Sequence, residues 1–581
     1  MCGILGGNNN GWDYEKGIQA LYHRGPDGQQ VKYLEGFTMA FARLSIIDLS
    51  SNAMQPMTSC DGKVTIVYNG EIYGYASLKK DLEKKYEFFS HSDTEVILNA
   101  YMEYGDMFIE KIDGMFAIAI YDRRTMQLKL FRDRVGIKPL YYYFDGMNFA
   151  FSSELKAIVA TCNTLDFQID YTAIYDYLFY QYIPEPKTMY KNCFKLLPAH
   201  ELIFDIQHNK IVSIGKYWKM HVNTSKGRRK KENVLCDELR ALLDESVKDQ
   251  LIADVPVGTF LSGGIDSSIV TYISNIYSPD IYAFTIGFEN PKFDESRYAR
   301  ILTDRYKLNC VEKILADQDI HAINQKLKVW YDEPFADTSA YPSFIVSQLA
   351  REKVTVVLTG DGGDELFGGY TRYQIYDNWM KDKELDSQML SDMCRRFNIT
   401  DLFSNKMKKR YINTGLEIYL PVIFLADKKA TENYRKQWGI DKDYDVTWYL
   451  KKYYKKELPP MTRARYMDFK TYLPSDILTK VDRVSMANSL ETRVPFLSRK
   501  IIEFAFSLSE EECCTSKNLK GILKSAFNKE IPDDLLYRKK MGFSVPEEYL
   551  ADKRGGIPIT VGILKSEWKE IDKNVENIGR K

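Results

Sequence analysis

Two glycines between a strand and a helix constrain this chain more than any other feature. Val257-Gly-Thr-Phe-Leu261 reads as a strand, Ser262-Gly-Gly-Ile-Asp-Ser-Ser268 turns the chain, and a helix follows from Ser267. Ile281–Ile286 and Val354–Leu358 read as further strands, the latter ending in Thr359-Gly-Asp-Gly-Gly363. Strands separated by helices predict a parallel, doubly wound sheet. Ligands bind such sheets at the carboxyl ends of the strands, where both glycine loops fall.

The loop at 262–268 suits an anion. Glycines let backbone N–H groups come close to a phosphate, and the following helix N-terminus adds its dipole. The pattern lacks the Gly-Lys-Ser/Thr ending of a Walker loop. Asp266 stands where that lysine would be, which implies magnesium as the phosphate partner. A functionless glycine turn is the alternative, and the flanking strand and helix argue against it.

The first 200 or so residues read differently. Thr65–Tyr68 is an apolar run that Asn69-Gly70 is expected to end, Phe116–Tyr121 and Gln127–Phe131 form a hairpin, and helical spacing lies between. This is α+β. Residues 206–232, with the basic run Lys226-Gly-Arg-Arg-Lys-Lys231, read as a solvated linker before a helix at Val234–Leu251. Beyond about residue 380 the chain reads as mostly helical.

With 581 residues the chain is too long for one compact core. Its 80 Lys plus Arg balance 80 Asp plus Glu, which argues against bulk nucleic-acid or membrane-surface binding. No apolar run approaches a membrane span, and no signal peptide is expected. Nine scattered cysteines lack zinc, redox or disulfide spacing. A cytoplasmic protein is expected.

Cys2 becomes an N-terminal nucleophile if Met1 is removed. Its thiol would then lie beside an α-amine with a reference pKa of about 7.7–8.0, able to act as the base. An incidental cysteine is the blander reading of position 2 alone. Four stretches follow in order: His23-Arg-Gly-Pro-Asp27, Arg43-Leu-Ser-Ile-Ile-Asp48, Asn69-Gly-Glu-Ile-Tyr73 and Ser92-Asp-Thr-Glu95. With Met-Cys-Gly they resemble the class II glutamine amidotransferase domain, an N-terminal-nucleophile hydrolase with an αββα sandwich. The resemblance implies Cys2 as nucleophile, and an oxyanion hole made of the Asn69 amide and the Gly70 N–H. It implies Arg43 on the glutamine carboxylate, Asp93 on its ammonium and Glu71 nearby. His23 is expected only to orient a loop.

The later half resembles the N-type ATP pyrophosphatases. Gly360-Asp-Gly-Gly-Asp-Glu-Leu-Phe-Gly-Gly-Tyr370, Lys480–Ala487, Leu490-Glu-Thr-Arg-Val-Pro-Phe496 and Lys517–Lys524 narrow this to the glutamine-hydrolysing asparagine synthetase family. The match runs to about residue 550. By that resemblance Leu261, Ser262, Gly263, Gly264, Asp266, Ser267, Ile286, Thr359 and Gly360 would bind ATP. Asp266 and Asp364 would hold magnesium. Lys520 would balance phosphate charge, Asp482 would support that region, and Asp361 would assist ammonia attack. The implied organisation is a glutaminase domain at 1–205, a linker at 206–232, and a synthetase domain at 233–581 with a helical C-terminal part.

The implied reaction uses glutamine and ATP to amidate a carboxylate through an acyl-adenylate, with aspartate the expected acceptor and a homodimer the expected assembly. Two departures touch the acceptor. Asp361 stands where aspartate-using enzymes carry Glu, one methylene longer, and Tyr331–Ser339 differs from their aspartate-pocket stretch. A sugar uronic acid or cell-wall diaminopimelate is the alternative acceptor. A tRNA-thiolating enzyme would need a sulfur-carrying cysteine pair and a basic face. A β-lactam-forming relative would lack the N-terminal nucleophile.

Overall fold

The computed structural model describes residues 1–316, 319, 323, 327, 330–381, 416, 419, 428–538 and 545. The tail beyond 550 and most of residues 382–427 lie outside them; from 428 to 538 the expected helical character is met, with helices at Lys428–Gln437, Pro460–Lys470, Leu478–Met486 and Arg499–Ser507 among others.

The first half contains twelve strands. They are β1 (Gly3–Gly7), β2 (Gly28–Leu34), β3 (Phe37–Arg43), β4 (Met57–Thr58), β5 (Val64–Tyr73), β6 (Asp113–Asp122), β7 (Gln127–Arg132), β8 (Tyr141–Phe144), β9 (Phe149–Ser152), β10 (Cys193–Lys195), β11 (His200–Asp205) and β12 (Lys210–Lys216). They form two six-stranded sheets, ordered β10-β8-β9-β1-β3-β2 and β12-β11-β7-β6-β5-β4. Side chains alternate across a strand, so each sheet has two apolar faces to cover. Ile4, Met39 and Phe41 of the first sheet meet Val67, Ala119 and Leu130 of the second in one core. The outer face of the first sheet packs on helices carrying Ile18, Ile158 and Ile174. The outer face of the second packs on the helix Asp93–Tyr104 through Val96, Ile97 and Ala100. This is the αββα sandwich.

Asn69-Gly70 does not end its strand. β5 runs on to Tyr73, with Gly70 opposite Phe116 of β6. Glycine is needed there for room: a Cβ would stand 2.1 Å from the Met115 carbonyl oxygen. The 206–232 stretch is not linker throughout either. β12 lies within it and pairs with β11, its short apolar–polar pattern having been masked by the basic run that follows.

The second half is built on a parallel sheet of β13 (Val257–Phe260), β14 (Tyr282–Phe288), β15 (Asn309–Leu315), β16 (Val356–Leu358) and β17 (Glu491–Arg493). Its order is β15-β14-β13-β16-β17, and every neighbouring pair is parallel. The helices Ile265–Tyr277, Ser296–Tyr306 and Ala340–Arg351 make the crossovers. The chain leaves β13 toward β14 on one side and returns as β16 on the other, so the switch point of the sheet lies at β13/β16.

Buried ion pairs join the halves. Arg24, fully buried, bonds both Asp482 oxygens at 2.8 and 3.0 Å and Glu154 at 2.7 Å. Arg483 reaches Glu154 at 2.9 Å and Asp332 at 3.0 Å. Among the described residues no helix is long and apolar enough to cross a membrane, and eight cysteines are free thiols.

Candidate active sites

Cys2 immediately precedes β1, and its backbone N–H donates to Asn69 Oδ1 at 2.9 Å. That bond spends the oxygen end of the Asn69 amide and leaves Nδ2 buried without a hydrogen-bond partner. A buried donor without a partner costs about 1–3 kcal/mol, so it persists where something else uses it. Cys2, Arg43, Gly70, Glu71 and Asp93 line one small cavity of about 40 Å³. Burial pushes the Cys2 thiol up, against the pull of the terminal ammonium.

Arg43, at the end of β3, donates to the carbonyls of Ser50 (2.6 Å) and Asp48. Asp93 opens its helix just after the N-cap Ser92. It accepts from the Tyr68 hydroxyl at 2.8 Å and the Ile72 N–H at 3.1 Å. Burial raises its carboxyl to about 6 even so. Burial and the neighbouring Asp93 push Glu71 well up, and Arg493 at 3.4 Å opposes them. His23 lies apart from this cavity, 3.1 Å from Glu154 and against the Trp330 ring.

One residue of this cavity, and another braced against it, come from the far end of the chain. Glu491 of β17 lines it and pairs with the Met1 ammonium at 2.8 Å. Burial alone would raise Glu491, but the Met1 ammonium and Arg493 hold it down at about 2. Arg493 bonds Glu491 at 2.7 Å and sits against Glu71. Both lie within the Leu490–Phe496 stretch, but nothing local in it says that its charges face the first half of the chain.

A second cleft, of about 660 Å³, opens at the carboxyl ends of β13, β14 and β16. Leu261, Ser262, Gly264, Asp266, Ser267, Ile286, Thr359, Gly360, Asp361, Asp364 and Lys520 all line it. The loop is held by its own hydroxyls: Ser262 Oγ lies 3.1 Å from Ser267 Oγ, which donates to the Gly264 carbonyl at 3.1 Å. Gly263 faces the other way. Its φ is +69°, and a Cβ there would stand 2.5 Å from the Tyr298 Cβ, so only glycine makes this turn.

Lys520, the left-handed N-cap of the helix Gly521–Ala526, sends its ammonium between Asp266 and Asp364, 2.7 Å from the latter. A left-handed lysine backbone costs about 1–2 kcal/mol. Burial opposes its charge, but the two carboxylates hold the ammonium above its ordinary range. Asp361 accepts from Thr359 Oγ1 at 2.7 Å, and burial raises its carboxyl. Asp482 is committed to Arg24 and does not line the cleft. Lys480, two residues earlier, does, held by Asp337 (2.8 Å) and Ser339 (2.7 Å).

The two centres share a strand. Glu491 lines the first cavity and Arg493 braces it from behind through Glu491 and Glu71, while the Arg493 carbonyl accepts from the Thr359 N–H at 2.9 Å, at the lip of the second. A thiol beside an amide donor, tied to a phosphate-type loop on a parallel sheet, defines a two-site amide-forming enzyme. A family model described as "Glutamine amidotransferase domain" matches residues 1–218, and one described as "Asparagine synthase" matches 238–558.

Bacillus subtilis "Asparagine synthetase [glutamine-hydrolyzing] 1" is 32% identical over 569 residues, covering 94% of this chain and 87% of that protein. "Asparagine synthetase [glutamine-hydrolyzing] 3" of the same organism is 29% identical, covering 98% and 90%. "Amidase chry2" of Gibberella zeae is 26% identical, covering 98% and 89%. The chain belongs to the glutamine-hydrolysing asparagine synthetase family. It is an enzyme of glutamine-dependent, ATP-driven amidation.

Proposed function

We propose that this enzyme converts aspartate to asparagine, with glutamine as nitrogen source. With Met1 removed, the Cys2 nitrogen beside Asn69 becomes the base, and the thiol attacks the glutamine side-chain amide. Asn69 Nδ2 and the Gly70 N–H stabilise the oxyanion, Arg43 holds the glutamine carboxylate and Asp93 its ammonium, with Glu71 beside it. The amide nitrogen leaves as ammonia, and water later releases glutamate from the thioester.

In the cleft the acceptor carboxylate attacks the α-phosphorus of ATP and expels pyrophosphate. Ammonia then attacks the acyl carbon, AMP leaves, and Asp361 takes the surplus proton. Ser262, Gly264 and Ser267 cradle the phosphates on the turn that Gly263 makes, Leu261, Ile286, Thr359 and Gly360 hold the nucleoside end, and Lys520 balances charge. Asp266 and Asp364 fit magnesium, which one or two carboxylates plus substrate phosphates usually hold. Bound there it would supply positive charge to the phosphates.

The observation that carries this reading is the shared strand β17, which touches the glutamine cavity with its side chains and the Thr359 loop with its backbone. Aspartate as acceptor draws support from the relatives' names. A uronic acid or diaminopimelate is the second reading. It is favoured by the shorter Asp361 and by the 331–339 segment, whose Asp337 and Ser339 line the cleft.

Pyrophosphate release measured across aspartate, a uronic acid and diaminopimelate separates these. Aspartate-stimulated release is expected; release with another acceptor alone moves the function to the second reading. A cytoplasmic homodimer is the proposed working form, and light scattering at the mass of one chain would contradict the assembly.

A further inference from the structure

Arg538 stands over the phosphate loop with one nitrogen to spare. Its guanidinium lies 4.4 Å from the centre of the Tyr298 ring. Nε donates to the Gly263 carbonyl at 3.1 Å, and Nη1 pairs with Glu295 at 2.8 Å. Both side chains of that pair are about nine-tenths buried, at 10% and 8% exposure. Two of the three guanidinium nitrogens are thus fixed, and with them the plane of the group.

Nη2 has no partner among the described residues. It comes within 4.0 Å of the point where a Cβ on Gly264 would stand, and Arg538 lines the same cleft as Ser262, Gly264 and Ser267. Lys520 differs, since its ammonium is already shared by two carboxylates.

We propose that Arg538 is a pyrophosphate ligand: Nη2 donates to an oxygen of the β- or γ-phosphate while Gly263 and Glu295 hold the guanidinium over the loop. A planar, permanently charged donor with two arms anchored keeps its third arm aimed, which a lysine cannot do. Holding the leaving group there favours expulsion of pyrophosphate from the α-phosphorus. The inference rests on the cleft being the ATP site. Arg538 lies so far along the chain from the loop that no local motif joins them.

The test measures inhibition of amidation by added pyrophosphate, together with KM for ATP, in the full-length enzyme and in R538M, R538Q and E295Q. Loss of one hydrogen bond to a charged group should weaken pyrophosphate inhibition by about tenfold to a hundredfold in R538M and raise KM for ATP similarly. Added guanidinium should restore part of both. E295Q, which keeps Nη2 and leaves an amide oxygen to accept from Nη1, should change both clearly less than R538M does. R538Q gives the same comparison if R538M does not fold.

Unchanged pyrophosphate inhibition in the Arg538 variants overturns the proposal. So does an E295Q enzyme as impaired as R538M, because Arg538 would then only brace the loop. Wild-type enzyme that releases no pyrophosphate from ATP overturns the reading of the cleft itself.

Discussion

The glutamine cavity and the ATP cleft are built to opposite plans. The first is about 40 Å³, and the groups in and beside it are already locked to one another: Cys2 to Asn69, Asp93 to Tyr68 and Ile72, Arg43 to two carbonyls. The second is about 660 Å³ and lined by charges that hold each other in reserve, with Lys520 between Asp266 and Asp364 and Lys480 against Asp337. A site that cleaves one small amide profits from donors fixed before the oxyanion forms. A site that takes a nucleotide and an acceptor needs room and exchangeable ion pairs. The contrast implies that damage in the first region should fall on the nitrogen source alone, and damage in the second on the whole reaction.

The largest effect should come from the cleft. Asp266→Ala removes one of the two carboxylates proposed to hold magnesium and leaves Lys520 paired with Asp364 alone, and amidation should be lost with glutamine and with ammonia alike. Retained synthesis with either source sinks the phosphate-site role of Asp266. Next is the boundary between the regions. Arg24→Ala leaves Asp482 and Glu154 buried with fewer partners, and unfolding stability measured in denaturant should fall by about 3–5 kcal/mol. A change below about 1 kcal/mol would show that the bridge does not hold the halves together.

Inside the glutamine cavity, Asn69→Ala should cost about 10²–10³ in glutamine-dependent kcat, as for loss of one oxyanion donor. Ammonia-dependent synthesis should survive, and an equal fall in both rates would blur the contrast. The smallest effect concerns pH. Asp93 titrates at about 6, above the ordinary carboxylate range because it is buried. In the proposed role its charged form is the one that would hold the ammonium of glutamine. As pH falls through about 6 the carboxylate takes a proton, so KM for glutamine should rise about tenfold per unit below that point. Asp93→Asn should be weak and flat over the same range; a wild-type KM with no pH dependence there contradicts the role.

The two regions were also unequally legible. The parallel sheet could be read because glycine loops punctuate apolar runs at Leu261/Ser262 and Leu358/Thr359, and a loop at a strand end is where such a sheet binds. Cys2, Arg43, Asn69 and Asp93 could be grouped only through an ordered set of motifs, since none is chemically distinctive alone. Local rules failed where tertiary contacts overrode them. Asn69-Gly70 has turn composition but lies inside β5, where the glycine makes room for β6.

The edge strand β17 spans three residues and joins the sheet far along the chain from β16, too short for any periodic signal. Asp482 shares a motif with Lys480, yet the helix between them turns one to Arg24 and the other to the cleft. Arg538 and Glu491 reach their sites only through folding.

The central claim is that Cys2 supplies ammonia to a separate adenylating cleft. Amide formation by Cys2→Ala, assayed in parallel with glutamine and with an ammonium salt, tests it most directly. The account predicts that glutamine-supported synthesis disappears while ammonia-supported synthesis remains. Equal loss of both in a folded protein would contradict it.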